Sequence, residues 1–227
     1  MPEPVVSPAT LPSLESQLER LVSLGLIAPD RDDALRAHGA RLAPAAPVGS
    51  LLVLHERVAP ASVLAPLMSL PAPGCAGKAG ERRGGFIVTD MTDVDQFTPT
   101  VEAPLPDADA YVVSGIHRGD DMRNWSPEEA AVALRGAGRS PLTLAEGIHW
   151  ALQSPGVIEA GACFMTMGSR LRKPNGDYDA RTPALWISGG TGRDGAERKG
   201  APKVGWCWWA NRHTWLGMAS AEARIAG

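Results

Sequence analysis

The sequence has few of the residues that build metal sites and disulfide frameworks. Its 227 residues include three cysteines, Cys75, Cys163 and Cys207, which stand far apart along the chain. No Cys-x-x-Cys pair and no Cys/His spacing of a zinc site occurs. An odd number of widely spaced cysteines does not suggest a disulfide framework, so we expect reduced thiols and no metal site.

The sequence also lacks a strong net charge and long apolar runs. The formal net charge is −3 at pH 7, which gives no indication of binding to nucleic acid or to an acidic membrane surface. No apolar run approaches the length of a membrane span, and no basic-then-apolar leader is visible. We therefore expect a cytoplasmic protein with no nucleic-acid or membrane partner.

Apolar residues at helical spacing predict a pair of helices near the N-terminus. The segment SLESQLERLVSLG predicts a first helix from about Ser13, with its leucines on one stripe. A shorter second helix is expected from an Asp30 cap to Gly39. We predict that residues 1–45 form a helical segment packed on a single body of residues 46–227.

Two later helices carry clear start signals. SPEE (126–129) offers an N-cap serine, a proline at the first helical position and a glutamate at the third. TLAE (143–146) repeats the capping box. Helix initiation therefore accounts for much of the block GRSPLTLAEG, but not for its Arg139 and Ser140.

Hydrophobic residues alternate with period two in three C-terminal segments, 162–169, 184–188 and 203–209. This pattern, with turn residues between the segments, predicts three neighbouring antiparallel strands of one sheet. Together with the helices it predicts an α+β fold, in which helices pack on a mixed, mainly antiparallel sheet.

Residues 190–195, GTGRDG, match the G-x-G-x-x-G pattern of dinucleotide-binding loops. Such a loop must lead into a helix whose N-terminus receives the pyrophosphate. The segment that follows, AERKGAP, is too short for that helix and ends at Gly200 and Pro202. We therefore reject a dinucleotide site, and the sequence identifies no cofactor.

The segment PKVGWCWWANRHTWLG holds four of the seven tryptophans. On a strand, Trp206 and Trp208 share one face and Trp209 points to the other. Core packing accounts for much of this pattern. The alternative is an aromatic-lined pocket, with Trp186 and Trp215 as further walls, that holds a flat or cationic small molecule.

His213 follows this strand, in a position from which loop side chains often reach ligands. Because its pKa lies near neutrality, an imidazole there suits a general acid or base, and His213 is the candidate catalytic residue. The alternative is a hydrogen bond from the ring to a backbone carbonyl that fixes the loop. His149, one position off the apolar stripe of its helix, is expected on the helix flank.

Arg139, Ser169 and Arg170 are the remaining ligand-binding candidates, and each lies at the boundary of a predicted element. The guanidinium fork of arginine suits a carboxylate or a phosphate. The alternative for either arginine is a structural salt bridge to Glu146 or Glu222. If these boundaries meet near the imidazole, they form a cleft for an anionic ligand with a planar portion.

Four sequence blocks resemble those of a known family. The blocks are GRSPLT with the EG that follows it, GSR, PALWIS, and GWCW followed by HTWLG. They are similar to the C-terminal signature blocks of an uncharacterised actinobacterial family, a domain of unknown function. The resemblance extends over most of the chain and implies no reaction, cofactor or catalytic residue.

The residues support two functional classes. The first is a cytoplasmic small-molecule enzyme, for example of specialised metabolism, that uses His213 and an arginine in a tryptophan-lined pocket. The second is a non-catalytic small-molecule-binding or protein-interaction module with the same pocket. An enzyme is expected to place His213 within hydrogen-bond reach of another polar side chain inside a cavity. A binding module needs only aromatic walls and one charged partner.

Overall fold

A computed structural model of the protein describes residues 11–27, 29–42, 44, 46–72 and 81–226, without the side chains at positions 29, 31, 40 and 193. Cys75 lies outside these residues. None of the helices in the described ranges has both the length and the apolar character needed to cross a membrane.

Helices and short strands alternate along the chain. Within the described residues the α-helices are α1 (Leu14–Ser23), α2 (Pro29–Leu42), α3 (Ala61–Leu64), α4 (Pro127–Gly136) and α5 (Leu144–Gln153). The strands before α4 are β1 (Leu51–Leu54), β2 (Ser69–Pro71), β3 (Arg82–Gly84), β4 (Phe86–Ile87), β5 (Phe97–Pro99) and β6 (Ala110–Ser114). Those after it are β7 (Ser140–Pro141), β8 (Cys163–Met165), β9 (Ser169–Leu171), β10 (Arg181–Ile187), β11 (Pro202–Trp208), β12 (Leu216–Met218), β13 (Ser220–Ala221) and β14 (Ala223–Ile225).

The predicted pair of N-terminal helices is present, with different bounds for the second helix. Helix α1 begins after Ser13, whose side chain accepts a hydrogen bond from the Ser16 amide (3.2 Å). Helix α2 begins at Pro29 and continues past Gly39 to Leu42, so both the predicted cap at Asp30 and the predicted end at Gly39 are wrong. Glycine ends a helix when it adopts a positive φ. Gly39 is not among the glycines with positive φ, and the helix runs on towards Pro44.

Gln17 joins α1 to the rest of the protein. Its side-chain nitrogen donates to the Ser50 carbonyl (2.8 Å), and its side-chain oxygen accepts from the Leu52 amide (2.8 Å). The Gln153 side chain in turn donates to the Gln17 carbonyl (3.0 Å). The helical segment is therefore packed on the body, while the boundary proposed between them stays a prediction.

Strands in the three C-terminal segments with the alternating pattern are neighbours in one sheet, but the first ends at Met165 and not at residue 169. The five-stranded sheet has the order β12-β8-β10-β11-β4. Strands β10 and β11 are antiparallel over seven residue pairs, from Arg181 opposite Trp208 to Ile187 opposite Pro202. Strand β8 is antiparallel to β10, whereas the outer strands β12 and β4 pair in parallel with β8 and β11. The sheet is therefore mixed, and the predicted α+β fold is confirmed.

A second sheet and one helix enclose the centre of the molecule. Strands β1, β6 and β14 form an antiparallel three-stranded sheet with β6 in the middle. Helix α5 contacts both β1 of this sheet and β10 of the larger one, and all ten of its residues are buried. A helix that is covered on every side needs no polar face.

The larger sheet separates two hydrophobic clusters. Phe164, Leu185 and Val204 belong to the main core, which also contains the apolar residues of α5. Met165 and Ala184, from the same strands, belong to a smaller cluster that includes residues of α4. Because successive side chains of a strand point to opposite faces, the sheet carries one cluster on each face.

Both predicted capping boxes are present. The Thr143 hydroxyl accepts from the Glu146 amide (3.3 Å), and the Glu146 carboxylate accepts from the Thr143 amide (2.8 Å). Ser126 and Glu129 make the equivalent two bonds at the start of α4. These bonds satisfy backbone donors that have no partner inside the helix.

His149 is fully buried, so its predicted place on the helix flank is wrong. The Ala145 carbonyl accepts from Nδ1 (2.8 Å), and the Leu54 amide donates to Nε2 (3.2 Å), an arrangement that requires the neutral ring with its proton on Nδ1. Burial lowers the pKa of His149 from 6.5 to about 4. The side chain is thus a structural link between α5 and β1.

We predict that Thr143→Ala lowers the free energy of unfolding by about 1 to 2 kcal/mol, because the Glu146 amide loses its acceptor in a buried setting. Urea unfolding measures the change. Thr143→Ser keeps the hydroxyl and is expected to retain most of the stability. Equal unfolding midpoints for Thr143→Ala and wild type, with equal denaturant slopes, would show that the hydroxyl does not cap the helix.

His149 should make the stability of the protein depend on pH. The pKa of His149 is lower in the folded state than in the unfolded state, so its contribution to stability is complete above pH 6.5 and is lost as the pH falls towards 4. This loss amounts to about 3 kcal/mol, and unfolding curves of the His149→Gln variant should lack it.

Glu56 has the opposite effect on the pH dependence of stability, and it has this effect in both the wild type and the His149→Gln variant. Burial, and then the charges of Glu146 and Asp95, raise the pKa of Glu56 to about 7, which adds stability as the pH falls. The difference between wild type and His149→Gln therefore isolates the histidine. Parallel stability curves between pH 7 and pH 4 would contradict the assignment.

Candidate functional site

Two of the predicted ligand-binding residues, Arg139 and Arg170, line the same cavity, which we call the Arg170 cavity. Its volume is about 390 Å³. It lies beside α4 and the strands β7 and β9. Its apolar lining comes from Ala131, Pro141, Met167, Tyr178 and Trp209, and its charged lining from Glu102, Arg135, Arg139 and Arg170. The cavity is therefore mostly apolar but rich in arginine.

Arg170 is a buried cation that has no ion-pair partner among the residues that the structure describes. Strand β9 places it opposite Thr98 of β5, and only 5% of the residue is exposed. Its Nη2 donates to the Asp179 carbonyl (2.6 Å), whereas its Nε is buried without an acceptor. Within the described part of the chain, Nη1 makes no hydrogen bond and no carboxylate forms a salt bridge with this guanidinium.

Aromatic rings partly compensate the charge of Arg170. The guanidinium carbon lies 3.9 Å from the ring centroid of Trp209 and 5.1 Å from that of Tyr178. Such contacts are favourable, and more so when they are shielded from water. Burial nevertheless lowers the pKa of Arg170, although Tyr178, Asp179 and Glu102 act in the opposite direction. An arginine remains charged at neutral pH, so the cavity contains a cation.

Arg139 has a different role, because its hydrogen-bonding groups are already occupied. Its Nε donates to the Ser220 hydroxyl (2.8 Å), Nη1 pairs with Glu222 (3.2 Å) and Nη2 donates to the Gly115 carbonyl. The salt bridge to Glu222 is one of the structural alternatives expected from the sequence. Arg139 therefore forms part of the cavity wall, while its charge is held by Glu222.

Ser169 is also occupied by a structural contact. It is fully buried, and its hydroxyl accepts from the Leu144 amide at the first residue of α5 (2.9 Å). Ser169 is not among the residues that line the Arg170 cavity. Its contribution to the site is to hold β9, and with it Arg170, against the start of α5.

Trp186 and Trp206 line a second cavity of about 380 Å³, together with Lys203 and Asp194. The Lys203 ammonium lies 2.5 Å from an Asp194 oxygen and 4.6 Å from the ring centroid of Trp186. Ser188 also donates to Asp194 (2.7 Å). The charges of Lys203 and Asp194 are therefore paired with each other.

Asp194 belongs to the loop that matches the dinucleotide pattern. The loop forms two short 3-10 turns, Gly192–Asp194 and Ala196–Arg198, before β11 begins. Within the described residues no α-helix lies between this loop and β11, as the shortness of the segment AERKGAP predicted. The side chain of Asp194 attaches the loop to Lys203.

His213, Trp208 and Trp215 do not line the Arg170 cavity. The ring centroids of His213 and Trp215 are 4.8 Å apart, and Trp208 packs edge-on against Trp206 at 4.6 Å. Trp208 and Trp215 are nearly half exposed. Burial lowers the pKa of His213, and its ring makes no hydrogen bond to any residue that the structure describes.

Trp209 and Tyr178, the aromatic residues of the cavity wall, were not predicted as site residues from the sequence. Trp209 immediately follows β11 and joins the smaller hydrophobic cluster, as its predicted position on the face opposite Trp206 allows. Tyr178 lies in the connection between β9 and β10, where no periodic pattern indicates its position. The alternation of the tryptophans in the sequence could therefore have predicted which face of the sheet Trp209 contacts, whereas no pattern predicts the position of Tyr178.

The described residues contain no group of three or more His, Cys, Asp and Glu side chains placed to hold a metal ion. The two described cysteines, Cys163 and Cys207, are free. Burial raises the pKa of their thiols to about 12 and about 11, so neither is an activated nucleophile at neutral pH.

Comparison with known proteins gives a family and no activity. A search of curated proteins and a search of solved structures each found no match. One family model, described as a family of unknown function (DUF5701), matches residues 20–227. The actinobacterial origin implied by the resemblance stays a prediction. Because the match extends over most of the sequence, the chain belongs to the DUF5701 family of unknown function.

Proposed function

We propose that the protein binds a small anionic ligand with a planar portion, and that Arg170 anchors the negative charge of this ligand. The observation that carries the proposal is that Arg170 is only 5% exposed as a residue and that its guanidinium has no carboxylate partner among the described residues. The cavity that it lines has a volume of about 390 Å³, within the range of small-molecule sites.

The buried charge of Arg170 is energetically costly without a counter-ion. Removing an ion from water is unfavourable by several kcal/mol unless a counter-ion and hydrogen bonds replace the solvent. Arg170 has one carbonyl acceptor and two aromatic neighbours, while its Nε lacks an acceptor. A bound anion would supply the missing counter-charge and acceptors. Residues that destabilise the folded state, such as a buried charge without a counter-ion, are common at ligand-binding sites.

The walls of the cavity favour a ligand that is flat and largely apolar. Met167 and Pro141 are buried, and Tyr178 and Trp209 present aromatic rings. Aromatic rings bind planar groups by offset or edge-on stacking. The same rings hold the guanidinium of Arg170, so an anion bound to it lies next to an aromatic surface.

The geometry favours the binding class over the enzyme class. To act as a general acid or base, His213 would need a polar side chain within hydrogen-bond reach inside a cavity. Among the described residues its ring makes no such hydrogen bond. Within the Arg170 cavity, Glu102 is the carboxylate, and it is exposed and faces Arg135 at 3.5 Å. A reaction of specialised metabolism therefore has less support than binding.

We also propose that the protein acts in the cytoplasm. Cys163 and Cys207 are free thiols that lie close enough in the fold for Cys207 to affect the pKa of Cys163. Free cysteines persist where glutathione and thioredoxin keep thiols reduced. A ligand of this kind would then be an intracellular metabolite.

The test uses sodium benzoate as the probe and isothermal titration calorimetry as the measurement. We expect Arg170→Met to weaken benzoate binding about 10- to 100-fold, because charge-assisted hydrogen bonds are lost. The variant should be at least as stable as wild type, since an unpaired buried charge is removed. A purely structural arginine would instead give a less stable variant with unchanged binding.

Arg198→Met is the matched control. Arg198 also lies over an aromatic ring, 4.5 Å from the centroid of Phe86, but it lines neither of the two cavities. The same change of charge and size is therefore made away from the site. Equal benzoate affinities of wild type and Arg170→Met, or an equal loss in Arg198→Met, would contradict the proposal.

A further inference from the structure

We propose that the ligand of the Arg170 cavity is an aryl monocarboxylate, a flat ring that carries a single carboxylate, and that Glu102 excludes ligands with a second negative charge. This inference rests on the proposed function, because it assumes that Arg170 anchors an anion. It further specifies that the ligand carries one negative charge, that its acidic group is a carboxylate and that Glu102 sets the selectivity.

The charges around the cavity leave one cation without a counter-ion. Arg139 pairs with Glu222 (3.2 Å), and Arg135 faces Glu102 (3.5 Å). Arg170 has no such partner among the described residues. Three arginines and one glutamate line the cavity, and Glu222 holds one of the arginines from outside it. One negative charge on the ligand therefore neutralises the site.

A phosphate ester does not match this charge. It carries about −1.5 to −2 at pH 7, so its second negative charge would remain inside the cavity without a cation. Glu102 lines the same cavity, and its charge is close enough to act on Arg170. Like charges brought together in a binding site repel each other. The carboxylate of Glu102 thus discriminates against dianions.

A carboxylate also suits the geometry of the anchor and the walls. It is planar and accepts two hydrogen bonds from a guanidinium fork. The ring of a benzoate is conjugated with its carboxylate, so the plane of the fork also orients the ring. The apolar side chains of Met167, Pro141 and Ala131 then provide the surface on which this ring is buried.

Four probes with one ring in common test the inference. Benzoate carries one carboxylate, phthalate two, phenyl phosphate a dianionic phosphate at pH 8, and benzamide no charge. We expect wild-type protein to bind benzoate at least about tenfold more tightly than each of the other three in calorimetric titrations, since charge complementarity determines the selectivity.

Glu102→Gln tests the origin of this selectivity. The substitution keeps the size of an exposed side chain and removes its charge. We expect the affinities for phthalate and phenyl phosphate to rise about two- to fivefold relative to benzoate, as is typical of exposed charge pairs. Glu197→Gln, an exposed glutamate outside the cavity, is the control and should leave the ratios unchanged.

The outcomes distinguish the inference from the function on which it rests. If phthalate or phenyl phosphate binds wild type as tightly as benzoate, or if Glu102→Gln leaves the ratios unchanged, the monocarboxylate inference is wrong while anion binding at Arg170 stands. If benzamide binds as tightly as benzoate, or if no anionic probe binds at millimolar concentration, the proposed function itself is wrong.

Discussion

The region around the cavity depends on one buried carboxylate, that of Glu146. This side chain is fully buried and accepts hydrogen bonds from the Tyr111 hydroxyl (3.0 Å), from Arg224 Nε and Nη2 (2.6 and 2.8 Å) and from the Thr143 amide (2.8 Å). A charge in such a place is stable only when it is paired and fully hydrogen-bonded. One residue thereby joins α5 to the strands β6 and β14. Removing either Glu146 or Arg224 would leave the other charge buried alone.

The same hub positions the walls of the Arg170 cavity. Arg224 also donates to the Ser140 hydroxyl (2.6 Å) and the Pro141 carbonyl (2.9 Å), which fixes β7. Ser169 accepts from the first amide of α5 and so fixes β9. Both strands that frame the cavity are thus attached to the start of one helix. The two arginines therefore differ, because Arg224 has its carboxylate, whereas Arg170 has none in the described part of the chain.

Local patterns predicted the parts of the structure that depend on neighbouring residues. Alternation identified β8, β10 and β11 as neighbours, and the capping boxes identified the starts of α4 and α5. Of the three boundaries predicted to meet at one site, those of Arg139 and Arg170 line one cavity, whereas His213 does not line it. His149 was misplaced, because a stripe argument assumes one buried helix face and α5 is covered on all sides.

The links across long stretches of sequence could not be predicted. Glu146 is 35 residues from Tyr111 and 78 from Arg224, and no periodicity indicates such contacts. For the same reason the residues predicted to form one site lie in different places: Arg139 and Arg170 line one cavity, and Trp186 and Trp206 line another. The place of the bound ligand can be observed by X-ray diffraction from crystals grown with 4-bromobenzoate. We expect anomalous bromine density in the Arg170 cavity, with the carboxylate against the Arg170 guanidinium. Bromine density confined to the cavity of Trp186 and Trp206 would contradict it.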